Sequence, residues 1–219
     1  PVSGLTSRRA GNALVWLLLL TMPYWIGWIG GYTSLGTRAL VLGLAAMALN
    51  FLLGFTGVLS FGQAAYFGLG AYGAGMTIKY LVASTPLGIL VGIVVGTVAA
   101  AVVGALIIKL RGVYFAMATI AFGQVFYFIA YRWNAVTGGD DGLAGWQRVP
   151  IHFGFGTLDI ASNDRAFYFL ALAFFAVAVA IMAALLRSPF GRTLIAIREN
   201  ERRARFLGIP IERHIWLSF

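Results

Sequence analysis

The sequence predicts an all-α fold, a polytopic transmembrane helical bundle of about six spans with a broken or re-entrant helix near 50–65. Three observations carry that expectation. Apolar residues make up 60% of the 219 and charged residues only 11%, against about 45–50% and about 25% in soluble chains. The apolar residues gather in runs of about 20 and do not alternate, which suits spanning helices and not barrel strands. The 28 glycines fit closely packed membrane helices, where small residues let backbones approach.

The runs lie at roughly 13–31, 38–55, 57–80, 87–108, 113–132 and 166–186, and an apolar stretch that begins near His214 marks a further candidate. The first run follows Arg8 and Arg9. It exceeds the apolar core of a signal peptide and no small-residue cleavage pattern follows, so it reads as a retained helix. The second and third runs are separated by little more than Phe55, Thr56 and Gly57; a tight hairpin and one broken helix both remain open there. The fourth carries small residues every fourth position, Gly88, Gly92, Gly96, Ala100 and Gly104. That spacing places them on one helix face as a groove for a neighbouring backbone. The chain reads as a single transmembrane domain over 1–219, cut from something longer, with an outer loop at 133–165 and an arginine-rich loop at 187–213.

Net charge is +9, and in a soluble chain that would suggest nucleic acid. Here its distribution points to membrane topology instead. No acid precedes Asp140, and Arg187, Arg192, Arg198, Arg202, Arg203, Arg205 and Arg213 crowd one segment. By the positive-inside rule the N-terminus, the turn at Lys109 and Arg111, and the 187–213 segment are cytoplasmic. The segments 31–37, 81–86 and 133–165 then face outward. Lys79 sits at the outer end of the third run, where a lysine snorkels to the interface.

Several chemistries are excluded by pattern. There is no phosphate-cradling glycine loop ending in Lys-Ser/Thr, no H-E-x-x-H, no G-x-S-x-G and no cysteine. No catalytic or metal-binding residue is therefore assigned. The expected spans hold no Asp, Glu or His, which weakens a proton-driven carrier. A stand-alone ion-gradient carrier coordinating sodium through neutral groups stays as an alternative.

The neutral polar residues inside the spans are Asn50, Thr56, Ser60, Gln63, Thr119 and Gln124. Gln63 and Gln124 occupy matching F-G-Q-x-x-Y-F strings at 61–67 and 122–128. Two readings stand: the amides bond neighbouring helices, or they line a route for a small zwitterion together with Asn50, Thr56 and Ser60. The stretch G-F-T-G-V-L-S-F-G-Q, 54–63, suits a helix break at membrane depth. In T-G-G-D-D-G-L, 137–143, Thr137, Gly138 and Gly139 predict a tight turn. Its Asp140 and Asp141 attract an ammonium group or an outer partner, or form an ordinary solvated turn. In 187–210, Pro189 suits a helix start and Gly208 with Pro210 a stop, with Leu194, Ile197, Ala204 and Leu207 as apolar contacts between arginines. That segment lies on the membrane surface or docks on a soluble partner.

The strings G-F-T-G-V-L-S-F-G-Q-A-A-Y-F-G-L-G-A-Y (54–72), R-G-V-Y-F-A-M-A-T-I-A-F-G-Q (111–124), T-G-G-D-D-G-L and S-P-F-G-R…R-E-N-E-R-R-A-R-F-L-G-I, in that order, resemble the permease subunits of branched-chain amino-acid ABC transporters of the LivM type. The resemblance runs from about Arg38 to Phe219. It implies an importer permease fold in the bacterial inner membrane, with a LivH-type sister permease, two cytoplasmic ATPases that use ATP and magnesium, and a periplasmic binding protein. It implies no cofactor on this chain itself, no nucleic-acid partner, and alternating access as the mechanism. It also implies that 187–213 is the coupling loop to the ATPase, with Gly191, Arg192, Arg198, Glu199, Glu201, Ala204, Arg205 and Gly208 as its candidate residues. Loops of that superfamily often read E-A-A-x-x-x-G; aligned on Gly208, Ala204 matches the second alanine while Arg202 and Arg203 replace the residues before it. Urea and short amides pass through related permeases, so the cargo has two candidate classes.

Overall fold

The structure is a computed structural model that describes residues 3–145, 149–153 and 156–219; residues 146–148 and 154–155 of the expected outer loop lie outside the described residues. It is an all-α bundle, as the composition requires. Among the described residues five helices are long and apolar enough to cross a membrane, over Gly11–Ile29, Thr33–Thr56, Thr85–Ile107, Val113–Arg132 and Asp164–Arg187.

Helix α1 spans Ser3–Trp25 and runs on through one 3-10 turn, Ile26–Ile29. Helix α2, Thr33–Phe51, continues through a π turn over Leu52–Thr56. It begins before the expected position 38, because Arg38 interrupts the hydropathy without interrupting the helix and stays exposed on its surface. Helix α3, Gln63–Met76, is extended by a second π turn, Thr77–Leu81. Helix α4 covers Thr85–Ile107 with Pro86 in its first turn, where a missing N–H costs nothing. Helix α5 covers Val113–Arg132. The segment between α5 and the next long helix holds a one-turn helix α6, Asn134–Thr137, a 3-10 turn at Gly139–Asp141, and two short antiparallel strands, β1, Ile151–Phe153, and β2, Gly156–Leu158. Helix α7 is Asp164–Arg187, capped by the Asn163 side chain. Three short helices follow: α8, Pro189–Glu199; α9, Glu201–Phe206; and α10, Ile211–Ser218.

The main departure from the hydropathy reading is the third run. Expected as a span over 57–80, it is non-helical from Gly57 to Gly62 and helical only from Gln63, with a break between α2 and α3. Gly57 has φ +75°, a conformation that side chains disfavour, and it ends the π turn of α2. Side chains place this break toward the arginine-rich end: the Arg198 guanidinium donates to the Gly54 carbonyl, one of the unpaired acceptors at the α2 terminus. A Cβ on Gly57 would lie 2.8 Å from Arg198 Cγ, so glycine is required for that approach.

Helix ends collect at two poles. At one, Lys79 donates to Ala144 O (2.9 Å), Thr85 to Val149 O (2.7 Å), and the Arg165 guanidinium stands 5.5 Å from the Tyr24 ring centroid. At the other lie the α2 break, the 108–112 turn and helices α8–α10. Within the bundle, α1, α2 and α7 share a core of Leu40, Tyr168 and Leu172. The remaining long helices, α4 and α5, share one with the shorter α3, of Tyr66, Val103, Ile107 and Phe115, against which Phe219 packs. The small-residue face of α4 does what its spacing predicts. A Cβ on Gly92 would stand 2.6 Å from Gly70 O, and one on Gly96 would stand 3.3 Å from Tyr66 O, so α3 lies directly on that groove. Lower down, the same face at Gly104 receives Trp216 and Phe219 of α10.

Candidate functional site: two cavities along α3 and α5

Two cavities open along α5, the first against α3 and the second against the break that precedes α3. The first, about 680 Å³, is walled by α3 (Ala64, Ala65, Gly68, Leu69, Tyr72) and α5 (Gly123, Gln124, Phe126, Tyr127, Ala130, Tyr131), with Gly139, Asp140 and Gly142 at its mouth. The second, about 740 Å³, lies toward the arginine-rich pole between Thr56 and the break (Gly57, Val58, Leu59), the 110–112 turn with the start of α5 (Val113, Phe115, Ala116, Met117), and Ile197, Arg198, Glu201 and Ile215. Phe61 and Ile120 line both.

The neutral polar residues separate into distinct positions. Gln124 is exposed on α5 in the wall of the first cavity. Thr56 is buried at the edge of the second, and its hydroxyl meets that of Ser218 at 3.4 Å. Asn50 is exposed near the end of α2, and Gln63 is half-buried at the start of α3; neither lines either of these two cavities. The matching F-G-Q strings thus put one amide in a cavity wall and leave the other outside. Ser60 is fully buried, and its Oγ has no partner among the described residues, as is true of the Tyr66 hydroxyl. A buried unpaired hydroxyl costs about 1–3 kcal/mol. Thr119 is buried as well, but its hydroxyl is paired twice: it donates to Ala116 O at 2.7 Å and accepts from the Phe61 N–H at 3.1 Å.

The 137–142 turn is built as a fixed bracket. Thr137 is buried, and its hydroxyl proton is shared between Ala130 O (2.6 Å) and Trp133 O (2.8 Å) while it accepts from Gly139 N at 3.3 Å. This ties the turn to the end of α5. Gly138 and Gly139 have φ of +82° and +57°, and a Cβ on Gly138 would fall 2.0 Å from Gly142 O. Both aspartates of the bracket are exposed, but only Asp140 lines the cavity.

At the arginine-rich pole the 187–213 segment folds into a compact platform. Ser188 caps α8 by accepting from Gly191 N, and a Cβ on Gly191 would stand 2.5 Å from Leu185 O, so the α7–α8 corner requires glycine. The Asn200 side chain caps α9 by accepting from Arg203 N at 2.9 Å. Leu194, Ile197 and Ala204 are buried as expected, but Leu207 is exposed because α9 ends at Phe206 and Gly208 turns the chain with φ +79°. Phe206 is 92% exposed beside it. Arg192, Arg198, Glu199 and Arg205 are exposed too.

Charge ties this platform to the spans. Arg111, in the α4–α5 turn, donates to Glu201 at 3.0 Å and to Glu212 at 3.3 Å, and Arg205 closes the ring to the same carboxylates at 3.4 and 3.0 Å. The Glu212 carboxyl is held below the usual carboxylate range by its own backbone N–H, helped by the charges of Arg205 and Arg111 against an opposing desolvation. Helix α10 is fixed to α4 by Trp216 Nε1 donating to Ala101 O at 2.9 Å.

Reading the sequence missed Phe61, Ile120 and Phe206 as site residues and took Arg111 only as a topology marker. Nothing in spacing distinguishes the first pair from other apolar residues; their position depends on the α3–α5 crossing. Phe206 did carry a signal, an aromatic among arginines at a helix end just before glycine.

Comparison with known proteins is consistent with this arrangement. A family model described as "Branched-chain amino acid transport system / permease component" matches residues 31–219. The chain is 25% identical over 221 residues to the high-affinity branched-chain amino acid transport system permease protein LivM of Escherichia coli strain K12, covering 91% of this chain and 51% of that protein. It is 26% identical over 204 residues to LivM of Salmonella typhimurium strain LT2, covering 84% and 47%. It thus spans about half the length of the curated relatives it matches. No solved structure matches the chain. Taken with the apolar helical bundle and the family match over most of its length, the chain is a multi-pass membrane protein that belongs to the branched-chain amino acid transport permease family.

Proposed function

We propose that this chain belongs to the permease subunit of an ATP-binding cassette importer for branched-chain or related small hydrophobic amino acids. In this reading it sits in the bacterial inner membrane with its N-terminus and its arginine-rich pole in the cytoplasm. It supplies a path and catalyses no reaction. The observation that carries the proposal is the stacking of two cavities along α5, the second bordered by a platform that Arg111 ties to the α4–α5 turn. The outer cavity has a carboxylate at its mouth, one amide in its wall and an otherwise apolar and aromatic lining. Asp140 attracts an ammonium group, Gln124 offers both donor and acceptor to a zwitterion, and the lining receives an apolar side chain without ionic trapping.

Work comes from outside the chain. Two cytoplasmic ATPases hydrolyse ATP with magnesium; a sister permease completes the path, and a periplasmic binding protein delivers the cargo. Helix α9 presents exposed Phe206 and Leu207, flanked by Arg202, Arg203 and Arg205, as the contact with an ATPase. An exposed aromatic framed by arginines has the composition of an interface anchor. ATPase motion pulls α9, and the Arg111–Glu201–Glu212–Arg205 ring carries that motion into the α4–α5 turn and the floor of the inner cavity.

The test is ATP-dependent uptake of radiolabelled leucine by the full-length permease reconstituted with its partners in proteoliposomes. Phe206→Asp with Leu207→Asp is expected to lower uptake at least tenfold and to lose the ATPase on co-purification while the membrane subunits stay intact. Unchanged uptake by that variant contradicts the proposal. Leucine uptake that an excess of urea or acetamide suppresses, and isoleucine does not, reassigns the cargo.

A further inference from the structure

We infer that Phe61 and Ile120 form an apolar septum between the two cavities and that Thr119 is the positioning residue that holds it shut. This inference rests on reading the cavities as one path. Phe61 and Ile120 are the residues shared by both linings: the first cavity reaches from them to Asp140, and the second from them to Arg198 and Glu201. Both side chains are large, apolar and exposed. A pair of this kind across a path excludes ions and zwitterions while it is closed, because nothing on it replaces their hydration.

The Phe61 half of the septum is mounted on backbone outside any helix. Phe61 lies in the 57–62 break, with the left-handed Gly57 at one end and Gly62 at the other. The Phe61 N–H is held by the Thr119 hydroxyl at 3.1 Å, and that hydroxyl is itself anchored on Ala116 O at 2.7 Å inside α5. Thr119 is fully buried. A Cβ on Gly62 would stand 3.1 Å from Thr119 O, so the break lies close against α5 where the clasp is made. Ile120 follows Thr119 in sequence, so the clasp and one half of the septum move as one piece of α5. One residue before Phe61, the buried Ser60 hydroxyl has no partner among the described residues, as expected of a segment whose second arrangement satisfies a group that the present one does not. Movement of the 57–62 break away from α5 would break one side-chain hydrogen bond, withdraw Phe61 from Ile120 and join the cavities.

These 219 residues hold no cysteine, so single thiols introduced here, with any cysteine elsewhere in the complex replaced by serine, report the septum directly. Met117→Cys lies in the lining of the inner cavity and Ala64→Cys in that of the outer. Each is placed in the full-length permease, assembled with its partners in right-side-out, nucleotide-free membranes, and exposed to a membrane-impermeant charged thiol reagent from outside. Ala64→Cys is expected to react in every background, which also reports a folded, inserted subunit. Met117→Cys is expected to react at least about tenfold more slowly. Adding Phe61→Ala raises its rate to near that of Ala64→Cys; Thr119→Val raises it part of the way, and Thr119→Ser restores the slow rate because its hydroxyl still accepts. Equal rates at the two thiols in the parent overturn the inference. So does a slow Met117→Cys rate that survives Phe61→Ala and Ile120→Ala together while Ala64→Cys still reacts, or an Ala64→Cys unreachable from outside. Labelling requires neither amino acid nor ATP. A septum seen by labelling in a complex that takes up no amino acid would refute the transport reading alone, and uptake without a septum would refute this inference alone.

Discussion

The two halves of the bundle solve the same solvent problem differently. In α1, α2 and α7 the helices are long and apolar, and they meet at Leu40, Tyr168 and Leu172 with the Tyr168 hydroxyl donating to Leu19 O at 2.6 Å. In α3, α4 and α5 one helix is short and the approach to it is non-helical; the cavities open beside it. A regular helix satisfies its own backbone in lipid, whereas irregular backbone at membrane depth must be covered by protein or line a cavity. The comparison teaches a division of labour: the regular half anchors the chain, and the irregular half holds the features of a path. The π turn that ends α2 joins the two, since Arg198 of the platform bonds its Gly54 carbonyl.

That contrast is most easily broken at glycine. A Cβ on Gly92 meets the Gly70 carbonyl at 2.6 Å, backbone against backbone, while one on Gly43 meets only the Phe175 ring at 3.6 Å. Gly92→Ala is therefore expected to separate α3 from α4 at an overpacking cost of about 1–3 kcal/mol or more, whereas Gly43→Ala leaves stability nearly unchanged. Thermal unfolding in detergent, followed by size-exclusion recovery, measures both. Equal losses in the two variants would erase the distinction between the halves. Gly96→Leu belongs with Gly92→Ala and is expected to cost assembly yield.

A smaller effect is expected at the charge ring. Its members are about a third or more exposed, and exposed ion pairs contribute about 0.2–1 kcal/mol each. Arg111→Ala is expected to lower stability modestly but to reduce ATP-driven uptake several-fold, because it disconnects the platform from α5. Acid sharpens the same point. The Glu212 carboxyl is held below its ordinary value in the folded chain, so its contribution is complete above about pH 4, the unfolded carboxylate range, and is lost as pH falls through its lowered folded value. The parent is expected to lose platform order in that acidic window, read by protease protection of 199–213, and Glu212→Gln to show a flatter profile.

The smallest change is expected in the regular half. Tyr168→Phe removes one interhelical hydrogen bond, worth about 0.6 kcal/mol in a membrane bundle, and is expected to leave uptake intact. A large uptake defect there would place part of the path in the anchoring half.

Much of this architecture is legible in sequence because the bilayer enforces it. Runs of apolar residues located α4, α5 and α7 to within a few positions, the glycine spacing of α4 announced the close approach of α3, and Pro189 with Gly208 bracketed the platform. The site was less legible. Gln63 and Gln124 sit in the same local string yet differ in surroundings, because what lies in front of an amide depends on how α3 crosses α5. The Gly57 break was foreseen as one of two possibilities, since hydropathy averages over the single positive φ that decides between them. Phe61 and Ile120 could not be separated from other apolar residues before the helices were packed, and Leu207 left the core only because α9 stops one residue earlier.

The orientation and role of the arginine-rich platform are tested most directly by a thiol at Phe206, on the most exposed part of α9. Phe206→Cys in the full-length permease is predicted to resist an impermeant reagent added to intact cells, to react in inside-out vesicles, and to cross-link there to the ATPase in a nucleotide-dependent manner. Labelling from outside intact cells, or a cross-link to the periplasmic binding protein in place of the ATPase, would contradict the account.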